Sequence, residues 1–170
     1  MSTLRRTLLT LAGLLLLAGA AFAQQGGDGE VVEVRMVTEG SEYFNDPVGL
    51  HVLPGTTIRF LNESDMHTAT TYCEEFGKER RIPEGAECWD SGMLAPGESF
   101  EVTLTVEGVY DYYCLPHEAL GMVGRIIVGD PEASPAKDES TLFPVAQQVM
   151  PSVEEILEAE DGIVPWTGLQ

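Results

Sequence analysis

Three kinds of residue are scarce in this chain of 170 residues, which has 9 Lys+Arg, 3 His and 3 Cys. The nine basic residues stand against 28 Asp+Glu, for a formal net charge of −19. Nucleic acid and anionic membrane surfaces are thereby excluded as partners, because binding either needs a basic face. Three histidines are too few for a catalytic site built on several imidazole-bound metals. Neither an internal repeat nor a long helical periodicity is present. The length fits one domain with extensions rather than two full domains, and a hydrophobic fraction of 44% is ordinary for a globular protein. An acid excess of this size keeps a protein soluble and self-repelling, and it steers a basic partner towards it. Solubility in a saline habitat is the plainer account of the same charge.

Residues 1–23 read as a signal peptide. Arg5 and Arg6 form the positive start, Leu8 to Ala20 is apolar, and Ala21-Phe22-Ala23 is a small-x-small cleavage site before Gln24. The uncharged stretch is short for a membrane span, so no span is expected once it is cleaved. Export to a periplasm, or to the cell surface and beyond, places the chain where disulfides persist. The Arg pair does not decide between general and twin-arginine export.

Residues 24–30 (QQGGDGE) form a flexible lead. Val32, Val34 and Met36 alternate with Glu33 and Arg35, which predicts a half-buried strand over Val31–Val37. Leu50–Val52 and Thr57–Leu61 are short strands around the turn Pro54-Gly55. Phe100, Val102, Leu104 and Val106 repeat with a period of two, and Gly108 turns the chain into Val109–Cys114. It returns through Met122–Val128. Short strands with Gly and Pro punctuation indicate an all-β fold, an antiparallel Greek-key β-sandwich over residues 31–129. Residues 130–170 are a linker and a C-terminal extension that is partly helical. Ser152 and Glu155 make a capping box there, with Val153, Ile156 and Leu157 on one face.

The chemistry is concentrated in Tyr112-Tyr113-Cys114-Leu115-Pro116-His117-Glu118-Ala119-Leu120-Gly121-Met122. A thiolate, an imidazole and a thioether lie in one loop between two predicted strands. Soft sulfur donors with imidazole suit copper, and two His, one Cys and a weak axial Met describe a blue-copper electron-transfer site. His67 supplies the second imidazole from a distant loop. Taken singly, a Met is ordinarily core filler and a His an ordinary polar residue; the joint spacing carries the assignment. His51 lies in an alternating strand and receives no role. Asn62-Glu63-Ser64 fits the glycosylation pattern, but a plain polar loop is the better reading.

At these residues the chain resembles the plastocyanin/azurin family of cupredoxins. The Cys-x2-His-x4-Met spacing is closer to plastocyanin, pseudoazurin and halocyanin than to azurin. Phe44 to Asn62, Asp90-Ser91-Gly92, Pro96 to Phe100 and Gly108-Val109-Tyr110 carry the likeness further, over about residues 31–129. The resemblance implies a monomeric electron carrier with one copper ion cycling between Cu(II) and Cu(I). Family members often have Asn directly after the first His, and here the residue is Thr68, so the surroundings of the ligands differ. In related cupredoxins the His matching His117 lies near the surface in an apolar patch. Leu115, Pro116, Leu120 and Gly121 are the corresponding docking residues here, for a redox partner with a basic face such as a cytochrome or a copper or haem oxidoreductase.

Cys73 and Cys88 remain. With Cys114 held as a copper thiolate, they form a disulfide that staples the polar excursion Glu74–Glu87. The rival is a binuclear copper centre, which needs two Cys in one loop, and the chain lacks that pair. A copper-delivery module without a redox partner is the alternative function. An enzyme is not expected: Cys114 near His117 resembles a nucleophile and base, but no third orienting residue is indicated and Met122 would have no task.

Overall fold

The computed structural model describes residues 29–169, and the signal-peptide reading of residues 1–23 lies outside them. The elements in chain order are β1 (Val31–Glu39), β2 (Glu42–Asp46), β3 (Gly49–Val52), β4 (Thr56–Asn62), β5 (Thr70–Thr71), β6 (Ser99–Leu104), β7 (Gly108–Tyr113) and β8 (Val123–Val128). Two short helices, α1 (Pro144–Val149) and α2 (Val153–Glu158), then lead to β9 (Ile163–Val164). One sheet runs β2-β1-β4-β6 and the other β5-β7-β8-β3-β9. The all-β sandwich expected from the alternating pattern is the fold observed. It carries two parallel pairings, β1 with β4 and β3 with β8, beside the antiparallel ones. No described helix is long and apolar enough to cross a membrane.

The period-two residues build the core. In β4 every second residue is buried, so Thr56, Ile58, Phe60 and Asn62 face inward while Thr57, Arg59 and Leu61 are only partly covered. Val34 and Met36 of β1 join them, opposite Leu50, Val52, Tyr110, Tyr112, Ile126 and Val128 of the second sheet. Cys114 and Met122 belong to this same buried cluster, so the sulfur donors stand at the end of the core and not on a surface loop.

Every residue of β7 and β8 is buried, although a one-sided sheet would leave alternate residues in water. The C-terminal extension accounts for this. Leu142, Ala146 and Met150 pack on Tyr72, Tyr113 and Val123, and Ile156 and Val164 pack on Val48, Val109 and Ile127. Ser152 caps α2 by accepting the Glu155 N–H, as the capping box predicts. The stretch read as a linker is tied down as well, because Val109 donates its N–H to Ser134 and Arg81 donates to the carbonyls of Lys137 and Asp138.

Under this cover lies a buried charge cluster. Asp111 and Arg125 are cross-strand partners on β7 and β8. The Asp111 carboxylate accepts from Arg125 at 2.7 and 3.1 Å and from Arg81 at 2.9 Å. Arg125 also reaches Glu139 and the Pro151 carbonyl. Burying three charges is tolerable only because each finds partners.

Candidate metal centre

His67, Cys114 and His117 come together at one end of the sandwich, each offering one donor atom. Cys114 follows β7 directly, and His117 and Met122 follow in the loop back to β8. Backbone bonds close that loop on itself. Cys114 N–H donates to the Met122 carbonyl, His117 N–H to Cys114, and Met122 N–H to His117. His67 arrives from the loop after β4. Asn62, the last inward residue of that strand, donates its amide to the Asp65 and Leu94 carbonyls, and His67 and Leu94 exchange backbone bonds. Asn62 is fully buried by these contacts, which leaves its amide unavailable to a sugar in the folded protein.

The donor atoms form a compact triangle. Cys114 Sγ lies 3.6 Å from His67 Nδ1 and 3.5 Å from His117 Nδ1, and the two Nδ1 atoms are 3.1 Å apart. Such edges are what one first-row metal ion spans with bonds of about 2.0–2.3 Å. Two imidazole lone pairs pointed at one another repel unless a proton or a cation lies between them. Two imidazoles and a thiolate are the donor types copper takes, and Met122, fully buried beside Cys114, adds a thioether to the set.

Burial favours the neutral forms of the donors. It lowers the pKa of His67 to about 4, with the neighbouring His117 adding to the effect and Asp65 and the Ser64 backbone opposing it. Burial also lowers that of His117. It pushes the Cys114 thiol up to about 11, against the hydrogen bonds from Thr68 and His117. A metal cation reverses the cost for the thiolate, since its charge stabilises the anion that burial disfavours.

Thr68 directly follows His67 in the chain. Its backbone N–H donates to Cys114 Sγ at 3.3 Å, and its hydroxyl accepts the Leu115 N–H at 2.8 Å. The two ligand-bearing loops are thus bonded to one another through this residue, and the hydroxyl does so without an amide.

The docking residues divide. Leu115, Pro116 and Leu120 are exposed and His117 is half-buried. Gly121 is not part of that surface, which corrects the expectation. It is buried because its α-carbon faces Val145 and Val149 of α1, where an added Cβ would meet methyl groups at 2.9 and 3.0 Å. Met66 and Met93, which sequence reasoning passed over, are exposed beside His67 and Leu94. Cys73 and Cys88 are joined in a disulfide, and Cys114 is the free thiol. Two further contacts were not read from the sequence: Thr38 on His67 and Tyr43 on His117. Thr38 continues the inward row of Val34 and Met36, so a polar residue ending a core-facing row was the available signal.

The family model of copper binding proteins, plastocyanin/azurin family, matches residues 32–129. The chloroplastic plastocyanin of Hordeum vulgare is 34% identical over 121 residues, covering 69% of this chain and 70% of that protein. The chloroplastic plastocyanin of Oryza sativa subsp. indica is 34% identical over 128 residues, covering 73% of this chain and 80% of that protein. Among solved structures, the pseudoazurin of Methylobacterium extorquens AM1 aligns with a TM-score of 0.54 at 28% identity, covering 69% of this chain and 98% of that one.

Proposed function

The chain belongs to the plastocyanin/azurin family of copper-binding proteins, and from that premise we propose that it is an exported electron carrier in which His67, Cys114, His117 and Met122 hold one copper ion. The observation that carries this reading is the buried triangle of Cys114 Sγ and the two Nδ1 atoms, with edges of 3.1–3.6 Å. Copper bound there supplies a Cu(II)/Cu(I) couple. The chain's task is to keep the donors still, so that little rearrangement accompanies each electron. The closed loop from Cys114 to Met122, the Asn62 anchor and the Thr68 cross-link all serve that end. Met122 would offer the ion a weak thioether, which would tune its potential more than hold it.

Burial also argues against copper delivery. His67, Cys114 and Met122 have no exposed surface, whereas a module that hands metal on needs donors an acceptor can reach. An enzymatic reading has no support in the site, which holds no second set of imidazoles: His51, the remaining His, is committed through Nε2 to the Gly129 carbonyl.

His117 is the ligand with an exposed edge, and it is flanked by exposed Leu115, Pro116 and Leu120. This edge is the exit for the electron and these residues are the contact surface for a redox partner. A net charge of −19 selects a basic partner, through long-range steering rather than through contact affinity. Stopped-flow oxidation of the reduced protein by a basic cytochrome across a salt series tests the assignment. The rate should fall as the Debye length shrinks from roughly 10 Å at 0.1 M to 3 Å at 1 M salt. Leu120→Lys should slow transfer and leave the copper spectrum unchanged. A flat salt profile would remove steering from the account, and tightly bound copper that exchanges no electrons would favour the delivery reading.

A further inference from the structure

Thr38 and Tyr43 face each other across the hairpin formed by β1 and β2, and each touches a different imidazole of the metal centre. Thr38 Oγ1 lies 3.0 Å from His67 Nε2. The Tyr43 ring is stacked on that of His117, with centroids 4.1 Å apart and planes inclined by 23°. Tyr43 also meets the His67 ring at 6.5 Å, edge to face. Neither residue offers a donor atom to the triangle. Thr38 meets His67 at Nε2, the ring nitrogen other than the one that faces Cys114, and Tyr43 lies against the face of the His117 ring.

We propose that this hairpin is a clamp that positions both imidazole ligands, with Thr38 setting the tautomer and rotation of His67 and Tyr43 setting the ring plane of His117. The proposal rests on the copper reading of the site. A neutral imidazole carries one N–H and one lone pair. If Nδ1 of His67 is to give its lone pair to a metal, Nε2 must carry the proton and needs an acceptor; the Thr38 hydroxyl oxygen at 3.0 Å is one, and the Ser64 backbone also bonds the ring. Thr38 is itself fixed to the ligand loop. Its backbone N–H donates to Ser64 Oγ at 2.7 Å, and the Ser64 hydroxyl donates back to the Thr38 carbonyl. The hairpin and the His67 loop therefore move as one body.

His117 has a different need. It comes from a short loop and presents one edge to solvent, so its ring is the donor with most freedom to turn. An aromatic face stacked at 4.1 Å opposes that turning without closing the exposed edge. Cross-strand partnership makes the two contacts interdependent, because Thr38 and Tyr43 occupy one rung of one hairpin. They are positioning residues, and their effect should appear in how the ion is held in each oxidation state.

The test uses the full chain with single substitutions Thr38→Val, Thr38→Ser, Tyr43→Leu and Tyr43→Phe. Affinities for Cu(II) and Cu(I) are measured by chelator competition, and midpoint potentials by voltammetry. Removing a hydrogen-bond partner of a metal-bound His typically costs 10–100-fold in affinity. Thr38→Val should lose Cu(II) affinity in that range and Cu(I) affinity by less, because Cu(I) depends more on the sulfur donors. Each tenfold difference between the two losses appears as a rise of about 59 mV in the potential. Tyr43→Leu should shift the potential the same way, while Thr38→Ser and Tyr43→Phe should stay near wild type. Wild-type affinities and potentials in both Thr38→Val and Tyr43→Leu would overturn the clamp. So would conservative variants as impaired as the disruptive ones, since that pattern marks a general packing role. Nitrogen-15 spectra of the copper-free protein give an independent readout: His67 should be the Nε2–H tautomer in wild type and a mixture in Thr38→Val. A wild type that shows this tautomer but takes up no copper would sink the copper reading and leave the clamp standing. The same tautomer unchanged in Thr38→Val would sink the clamp alone.

Discussion

The backbone N–H of Thr68 points at the sulfur of Cys114 from 3.3 Å, and the side chain of the same residue accepts the N–H of Leu115. One residue thus joins the His67 loop to the Cys114 loop through two bonds of different origin. Thr68→Val separates them. The backbone bond to sulfur survives, while the hydroxyl that accepts from Leu115 and meets Thr70 Oγ1 at 2.9 Å is lost. Stability should fall by about 1 kcal/mol, the net worth of an ordinary hydrogen bond, as measured by denaturant unfolding. The absorption band of the Cu(II) form should keep its position. A large shift of the band would mean that the hydroxyl, and not the amide, governs the sulfur.

His67 ties the stability of the copper-free protein to pH. Burial, its largest cause, lowers the His67 pKa from the ordinary 6.5 to about 4 in the folded protein. Between these values the unfolded chain holds a proton that the folded one lacks, so acidification favours unfolding. The contribution is complete above about pH 6.5 and is lost as pH falls towards 4, by at most about 1.4 kcal/mol per pH unit. Melting of the copper-free protein at pH 7 and pH 5 should show this loss. It should be smaller in His67→Gln, and an equal loss in the variant would assign the effect to other groups.

Asp111 neutralises two guanidinium groups, Arg81 and Arg125, at a site where all three side chains are about 1% exposed. Asp111→Asn keeps the shape and removes the charge, leaving both cations buried without it. Breaking a buried pair in this way costs about 3–5 kcal/mol, to be read by denaturant unfolding. The cluster lies on the sheet face covered by the C-terminal extension, away from the core that holds Cys114. The copper spectrum of the folded fraction should therefore match wild type. A cost below about 1 kcal/mol would show that water reaches the cluster.

Much of the centre was legible because its signal is local. Cys114, His117 and Met122 lie within nine residues, and the alternation of β1, β4 and β6 fixes which side chains face the core. The hairpin contacts were not legible in the same way, because Thr38 and Tyr43 are ordinary strand residues whose partners lie 29 and 74 positions away. The parallel pairings escaped for a related reason: they join strands through long connections without a crossover helix to announce them. The role of the extension did leave a trace. Asp111 and Arg125 interrupt two strands otherwise rich in apolar residues, and a charge in such a strand calls for a partner. That the partners include Arg81 and Glu139 depends on chain paths that no local pattern encodes. Gly121 was misplaced on the docking surface for the same reason, since only the seating of α1 buries it.

The central claim is that Cys114 gives a thiolate to copper, and the most direct measurement is the visible spectrum of the purified protein titrated with Cu(II). Wild type should develop an intense blue or green sulfur-to-copper charge-transfer band that saturates at one ion per chain. Cys114→Ser should lack the band even where metal still binds. A copper-loaded wild type without colour, or a Cys114→Ser variant that keeps it, would contradict the account.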